Sequence, residues 1–482
     1  MACNAFTPNP LQVLSAEAVG LAALCANWFK EIGLQSDSDD LGRIVDQDYK
    51  RMVGFLGECL GEVVAPGVIC TVAEAQRAAE QFGRARIDAL LLVHIMWSED
   101  QPLLALLDAL PDVPIVLWNY HPTGRLPDKL TVNDLFRHSG TVGMLQGSSP
   151  MQRRDLIPHI VTGAPGDAGL AEALRRFGLA LGIHKEFRDL RAGRIAGRCE
   201  VMTGTYVDAD ALHSALGVQL VEITAAEYAG ACDAVSGDRV EAFHTHVAGT
   251  YPVEGVGAES LRLACRNTLA LDDLADTHDL KALAIQDLDE ELHRLAGIRP
   301  CLCPPQCAAR GVAIAMESDL HAALGMRVGM RVLSRPCMYA ELFTYDPGEN
   351  IVLMGHAGVH DPRLAAADGV TIVPDMEYRN SDRLEGAWQE FILAEGPVTC
   401  ISLYDTGGGY RMTAFEGESL GAPRRIQGFA HAAVRPDVAV GDLLGRLVRR
   451  GMTQHFAIAP GRISDVLATW CRLGGVEFHH ET

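Results

Sequence analysis

Short apolar strand-like runs alternate with helical runs along most of this chain. No other feature of the sequence restricts the fold as much, because parallel strands can only be joined by crossovers, and helices are what usually cover the sheet. A helical stretch over 71–83 leads into the apolar run 87–94, and a second over 101–110 leads into 114–118. The order then repeats, with a helix over 170–181, a strand over 217–223, a helix over 259–274 and a strand over 280–286. Around 326–332 the pattern turns strand-rich, with short runs at 338–343, 351–354, 369–373 and 398–403 punctuated by Gly and Pro. The sequence therefore predicts an α/β protein: two doubly wound Rossmann-like domains (1–165 and 166–325) followed by a mainly β C-terminal domain (326–482). The first boundary is placed at the Gly/Pro-rich stretch 163–169, which reads as a linker or as a turn into the next helix. The length of 482 residues, about three times that of a usual single domain, agrees with such a division.

Composition narrows the partners. Lys and Arg total 41 against 62 Asp and Glu, a formal charge of −21 that repels phosphate backbones and anionic lipid. Neither nucleic acid nor membrane is expected as a partner. The apolar run 89–97 is broken by His94 and followed by Glu99 and Asp100, well short of the roughly 20 residues that span a bilayer. The first residues lack the basic start of a secretory signal, and the 13 cysteines show no paired framework. A cytoplasmic location is expected.

Several chemistries lack their motifs: there is no phosphate-binding G-x-x-x-x-G-K-[ST], no G-x-S-x-G, no H-E-x-x-H and no G-x-G-x-x-G after a strand. Gly407, Gly408 and Gly409 in "YDTGGGY" read as a hairpin turn rather than an anion cradle. Cys301, Cys303 and Cys307 lack the second thiol pair of a structural zinc site and read as buried small residues. His479 and His480 read as a frayed tail. In the first third, His94, Trp97, Glu99 and the segment Asn119-Tyr120-His121 fall at strand C-terminal ends, where open α/β sheets place ligands. Trp97, Trp118 and the histidines could equally be core or loop residues.

Four residues stand where a polar group inside an apolar strand, or at its tip, needs a partner. Glu317 follows "GVAIAM" and precedes a helix, Glu341 lies within "MYAELF", His356 ends "IVLMGH", and His455 falls within "GMTQHFAIA". Each alone could be an edge position or a hydrogen-bonded core residue. Together, two carboxylates and two imidazoles form an oxygen/nitrogen set suited to Mn²⁺ or a similar divalent ion.

Three segments, "AIAMESDLHAALGMRV", "AELFTYDPGENIVLMGHAGV" and "GMTQHFAIAPGRISDVLATWCRLGGVE", resemble the L-arabinose isomerase family within the L-fucose/L-arabinose isomerase superfamily. Weaker similarity reaches back to about residue 85. The resemblance implies that Glu317, Glu341, His356 and His455 are metal ligands, that Glu317 and Glu341 are also the catalytic carboxylates, and that the metal is a divalent ion, Mn²⁺. The activity implied is aldose–ketose interconversion of a pentose, deoxyhexose or related sugar through an enediolate. It also implies a homo-oligomer, a trimer or hexamer, in which His121 and Trp97 could bind substrate in a neighbouring chain's site. Two departures leave the sugar open: the acidic pair usual at the second Glu reads Tyr339-Ala340-Glu341-Leu342 here, and a substrate-contacting Gln is replaced near His121. The same ligands would serve an epimerase, aldolase or decarboxylase, and two sheet domains facing a cleft would also suit a non-catalytic sugar-binding protein.

Overall fold

The computed structural model describes residues 18–32, 40–378 and 384–482; Cys3 and the opening segment assessed for a signal lie outside them. The chain divides into two compact units that meet between Lys185 and Glu186.

The first unit is built on a parallel sheet of β1 (Val19–Leu24), β2 (Val63–Val64), β3 (Val68–Ile69), β4 (Ala89–His94), β5 (Ile115–Tyr120) and β6 (His159–Gly163). Its order is β2-β1-β4-β5-β6, with β3 following β2 along the same edge of β1. Strands β1 and β4 are buried at every position, the mark of strands covered on both faces. Helix Val72–Ala85 starts cleanly because Thr71 and Glu74 cap it reciprocally. It packs Ala75, Ala78 and Phe82 into a core with Leu90, Leu92 and Leu106. The stretch 163–169 is the turn from β6 into helix Ala168–Phe187, and the junction between the units falls near the end of that helix.

The second unit contains a smaller parallel sheet of β7 (Arg191–Ile195), β8 (Gln219–Ile223), β9 (Ala282–Ile285) and β10 (Ala313–Ala315), in the order β10-β9-β7-β8. Residues 326–332, where a change to strands was expected, belong to helix Leu320–Leu333, which is buried from Leu320 to Arg331; Arg327 and Arg331, one helical turn apart, both pair with Glu186, and strands begin only at Met338. From there the chain forms β11 (Met338–Asp346), β12 (Ile351–His356), β13 (Thr371–Pro374), β14 (Ala387–Glu390), β15 (Gly396–Asp405), β16 (Tyr410–Ser419), β17 (Ala430–Pro436), β18 (His455–Ala459) and β19 (Glu477–His480). Strands β13 and β14 pair with each other. The rest follow the order β15-β18-β11-β12-β17-β16-β19, and β15 also pairs with β16, so six antiparallel strands close into a barrel-like ring. This is a mixed α/β molecule with two parallel sheets and a mainly β C-terminal region. The triple glycine makes the β15–β16 hairpin, with Asp405 accepting from the Gly407 N–H at 2.7 Å. The expectation of a frayed C-terminus is wrong: helix Ser464–Leu473 returns the chain so that β19 pairs in parallel with β16, setting His479 against Thr413 and His480 against Ala414. Among the described residues, no helix is long and apolar enough to cross a membrane.

Candidate metal centre

The C-terminal end of β10 runs through Met316 into two residues with left-handed backbone, Glu317 at φ 55° and Ser318 at φ 59°, before helix Leu320–Leu333 begins. Neither residue adopts that conformation cheaply, so the surroundings must hold it. The Glu317 N–H donates to Asp287 Oδ1 at 2.8 Å, the Ser318 N–H donates to Ile285 O at 3.0 Å, and the Ser318 hydroxyl donates to Gly197 O. Asp287 in turn accepts from Arg299 at 2.7 Å, and Arg299, 1% exposed, grips Asp375 with two further nitrogens. The turn carrying Glu317 thus rests on a buried ionic cluster.

His356 ends β12 and His455 begins β18, and both strands pair with β11 between them. The rings of His356 and His455 lie 4.6 and 4.9 Å from that of Tyr339, a fully buried β11 residue whose hydroxyl donates to Met316 O. One ligand atom from each of Glu317, His356 and His455 lies within 4.8 Å of the others. His455 Nε2 stands 3.1 Å and His356 Nε2 3.8 Å from Glu317 Oε2.

Each imidazole has its other nitrogen engaged. His356 Nδ1–H donates to Ala357 O at 2.8 Å, and His455 Nδ1–H donates to Asp319 Oδ2 at 2.8 Å. Asp319 also caps the helix, its Oδ1 accepting from the Ala322 N–H. This fixes both rings with Nε2 directed at Glu317, an arrangement typical of metal-ligating histidines. Glu317 Oε2, His356 Nε2 and His455 Nε2 are all buried, and none has a well-directed hydrogen-bond partner. Buried polar atoms are seldom left so, and three of them converging from two imidazoles and a carboxylate fit a divalent cation with coordination positions to spare.

The electrostatics agree. Burial alone would raise the Glu317 carboxyl, but His356 and His455 hold it far below the usual carboxylate range. Burial likewise pulls the His455 imidazolium down, yet Asp319 and Glu317 outweigh it and push it up to about 9. Without a cation, a proton on His455 takes part of that role.

The structure therefore brings together three of the four residues singled out from the sequence. Glu341 sits on β11 directly across from His455 and Gly355, half-buried, on the face of the wall that His455 shares, and its carboxylate is outside the three-residue group. His121 and Trp97 lie in the first unit. His121 Nδ1 accepts from the N–H groups of Thr123 and Gly124, and Trp97 Nε1 donates to Gln146 Oε1 at 2.8 Å. His94 is packing: it is 3% exposed, bonded to Ser98, pressed against Gly140 and Gly143, and held neutral by burial, which lowers it to about 4. Trp118 is core. Cys301 and Cys307 are buried with thiols pushed up by burial, and no cysteine joins a metal-binding group among the described residues.

Asp287, Arg299, Asp319 and Tyr339 went unnoticed in the sequence. Only Asp319 had a readable signal, an Asp at the helix start where N-caps occur. The others act through contacts between residues distant in sequence.

No protein-family model matches the chain. A protein from Alkalicoccus urumqiensis described as sulfoquinovose isomerase is 22% identical over 388 residues, spanning 80% of this chain and 84% of that relative. A second of the same description, from Clostridium sp. (strain MSTE9), is 26% identical over 160 residues, 32% of this chain and 34% of its own. These matches agree with a sugar isomerase and do not single out L-arabinose isomerase. The chain is a homologue, at low identity, of proteins described as sulfoquinovose isomerases, and it is an isomerase.

Proposed function

We propose that this protein is a metal-dependent aldose–ketose isomerase that moves hydrogen between C1 and C2 of a sugar through an enediolate. The observation carrying this reading is the convergence of Glu317, His356 and His455 through buried ligand atoms that lack hydrogen-bond partners. A divalent cation held there, Mn²⁺ by preference, would supply Lewis-acid polarisation of the sugar's C1 and C2 oxygens. Glu317, ionised throughout the physiological range, serves as a ligand and electrostatic anchor. Glu341, half-exposed on the same wall, would take a proton from one position and return it to another. Tyr339 and Asp319 hold the two imidazoles and move no proton. The relatives' names make sulfoquinovose the first sugar to assay, ahead of pentoses and deoxyhexoses.

Assembly as a trimer or hexamer in the cytoplasm, with His121 and Trp97 serving a neighbouring chain's site, belongs to the same reading. It is supported by large apolar residues concentrated on the surface of the first unit, including Val132, Leu135, Val142, Leu145, Ile157 and Ile160, all exposed by more than half. The deciding experiment combines metal analysis of the purified protein with product analysis on a panel of aldoses and ketoses. Interconversion that stops on chelation and returns with Mn²⁺ is expected; full turnover in metal-free protein would overturn the reading.

A further inference from the structure

Outside the metal centre, the first unit places two thiols together. Strands β1 and β3 run parallel with Leu24 opposite Ile69, so Cys25 and Cys70, the next residue on each, fall opposite one another, and the Cys25 N–H donates to Ile69 O at 3.1 Å. Neighbouring strands stand about 4.8 Å apart, within the roughly 4.4–6.8 Å between Cα atoms that a disulfide bridges. The Cys25 thiol donates to Ala26 O at 3.5 Å, and the two sulfurs perturb one another electrostatically.

Their surroundings are those of a reactive pair rather than inert core. Cys70 directly precedes Thr71, the N-cap of helix Val72–Ala85, so its sulfur sits near the positive end of a helix of 14 residues. The charge of the Lys30 ammonium, on the short helix Asn27–Glu31, also favours a Cys70 thiolate. The neighbouring Cys25, foremost, and Lys30 draw Cys70 below an ordinary thiol, against the opposing effects of burial and of the Glu74 carboxylate. Among the described cysteines Cys70 alone is drawn down: Cys25 is pushed up by Cys70 and by burial, and burial pushes up Cys59, Cys232, Cys265, Cys301, Cys303, Cys307, Cys337, Cys400 and Cys471. Cys25 and Cys70 are 1% and 2% exposed, but Thr71 is on the surface, so the pair lies one residue beneath solvent. That depth suits a small oxidant and excludes a bulky one.

We propose that Cys25 and Cys70 form a reversible dithiol–disulfide couple whose oxidant is a small hydroperoxide and in which Cys70 is attacked first. The Cys70 thiolate displaces hydroxide from the peroxide and becomes a sulfenic acid. The Cys25 thiol then attacks that sulfur, forming the S–S bond and releasing water. Overall, two thiols and one hydrogen peroxide give one disulfide and two waters, with the sulfurs oxidised and the peroxide reduced. A dithiol reductant restores the pair. Nothing in this depends on the isomerase reading.

The test uses the full-length reduced protein exposed to hydrogen peroxide at near-neutral pH, digested without reduction and mapped by mass spectrometry. The expected product is a Cys25–Cys70 cross-linked peptide, with two titratable thiols lost and regained on adding dithiothreitol. Cys25→Ser should trap a dimedone-reactive sulfenic acid on Cys70, and Cys70→Ser should leave Cys25 reduced. The proposal fails if both cysteines of the wild-type protein stay reduced while other thiols oxidise, or if Cys25 oxidises equally fast in Cys70→Ser. Mapping of the wild-type protein decides the matter even if a variant does not fold.

Discussion

Asp319 serves two elements with one carboxylate, Oδ1 capping helix Leu320–Leu333 and Oδ2 orienting His455. Asp319→Asn can keep the cap, but it replaces a charged acceptor with a neutral amide at His455. Mn²⁺ affinity measured by titration calorimetry should fall about 10- to 100-fold, the range usual for such supporting residues, with little change in melting temperature. The two glutamates should part company. Glu317→Gln is expected to abolish both metal binding and turnover. Glu341→Gln should retain the metal and lower kcat by about 10²- to 10⁴-fold, as removing a proton-transfer group does; unchanged kcat in Glu341→Gln would remove it from the mechanism. Glu317, His356 and His455 could be picked out because each breaks an apolar run where a polar group needs a reason. Glu341 broke its run equally well, but periodicity cannot tell whether a strand residue faces a shared ligand point or stands beside it.

At the level of elements, the helix Gly140–Gln152 lies against β4 through its glycines. A Cβ on Gly140 would come within 2.3 Å of the His94 carbonyl oxygen and one on Gly143 within 2.6 Å of the His94 ring, so neither position has room for a side chain. Gly140→Ala should destabilise the first unit by about 1–3 kcal/mol through overpacking, seen as a lower melting temperature. The strands and helices of the parallel sheets were legible because their apolar runs and caps are local signals. The insertion of β18 between β11 and β15 that closes the ring, the pairing of β19 and the buried Arg299 cluster were not, since each depends on residues brought together from far apart. Arg299 in particular reads from sequence as an ordinary surface arginine, and only the fold shows it 1% exposed and paired with Asp287 and Asp375.

For the whole molecule, pH should act on the metal-free protein through His455. Its folded pKa, about 9, lies above the value near 6.5 expected in the unfolded chain. The stability it contributes is therefore fully present below about 6.5 and is lost as pH rises through about 9. Glu317 works in the opposite sense: its depressed carboxyl contributes stability above the ordinary carboxylate value, and this is lost on acidification. The two describe one ion pair and are not to be added. Denaturant midpoints of metal-free protein should thus decline from pH 6.5 to 9. Because a metal must displace the His455 proton, binding near neutral pH should release about one proton, detected by calorimetry in buffers of different ionisation enthalpy, and affinity should rise with pH up to about 9.

The closed ring of six antiparallel strands has a kinetic meaning of its own. With β15 paired to both β18 and β16, none of its members can peel away by breaking the hydrogen bonds of one neighbour alone. Backbone amides of β12 and β18 should therefore exchange with deuterium at a common, slow rate set by opening of the ring as a unit. His356 and His455, which terminate those two strands, would then lose or recapture a bound ion together with that event and not by independent local fluctuation.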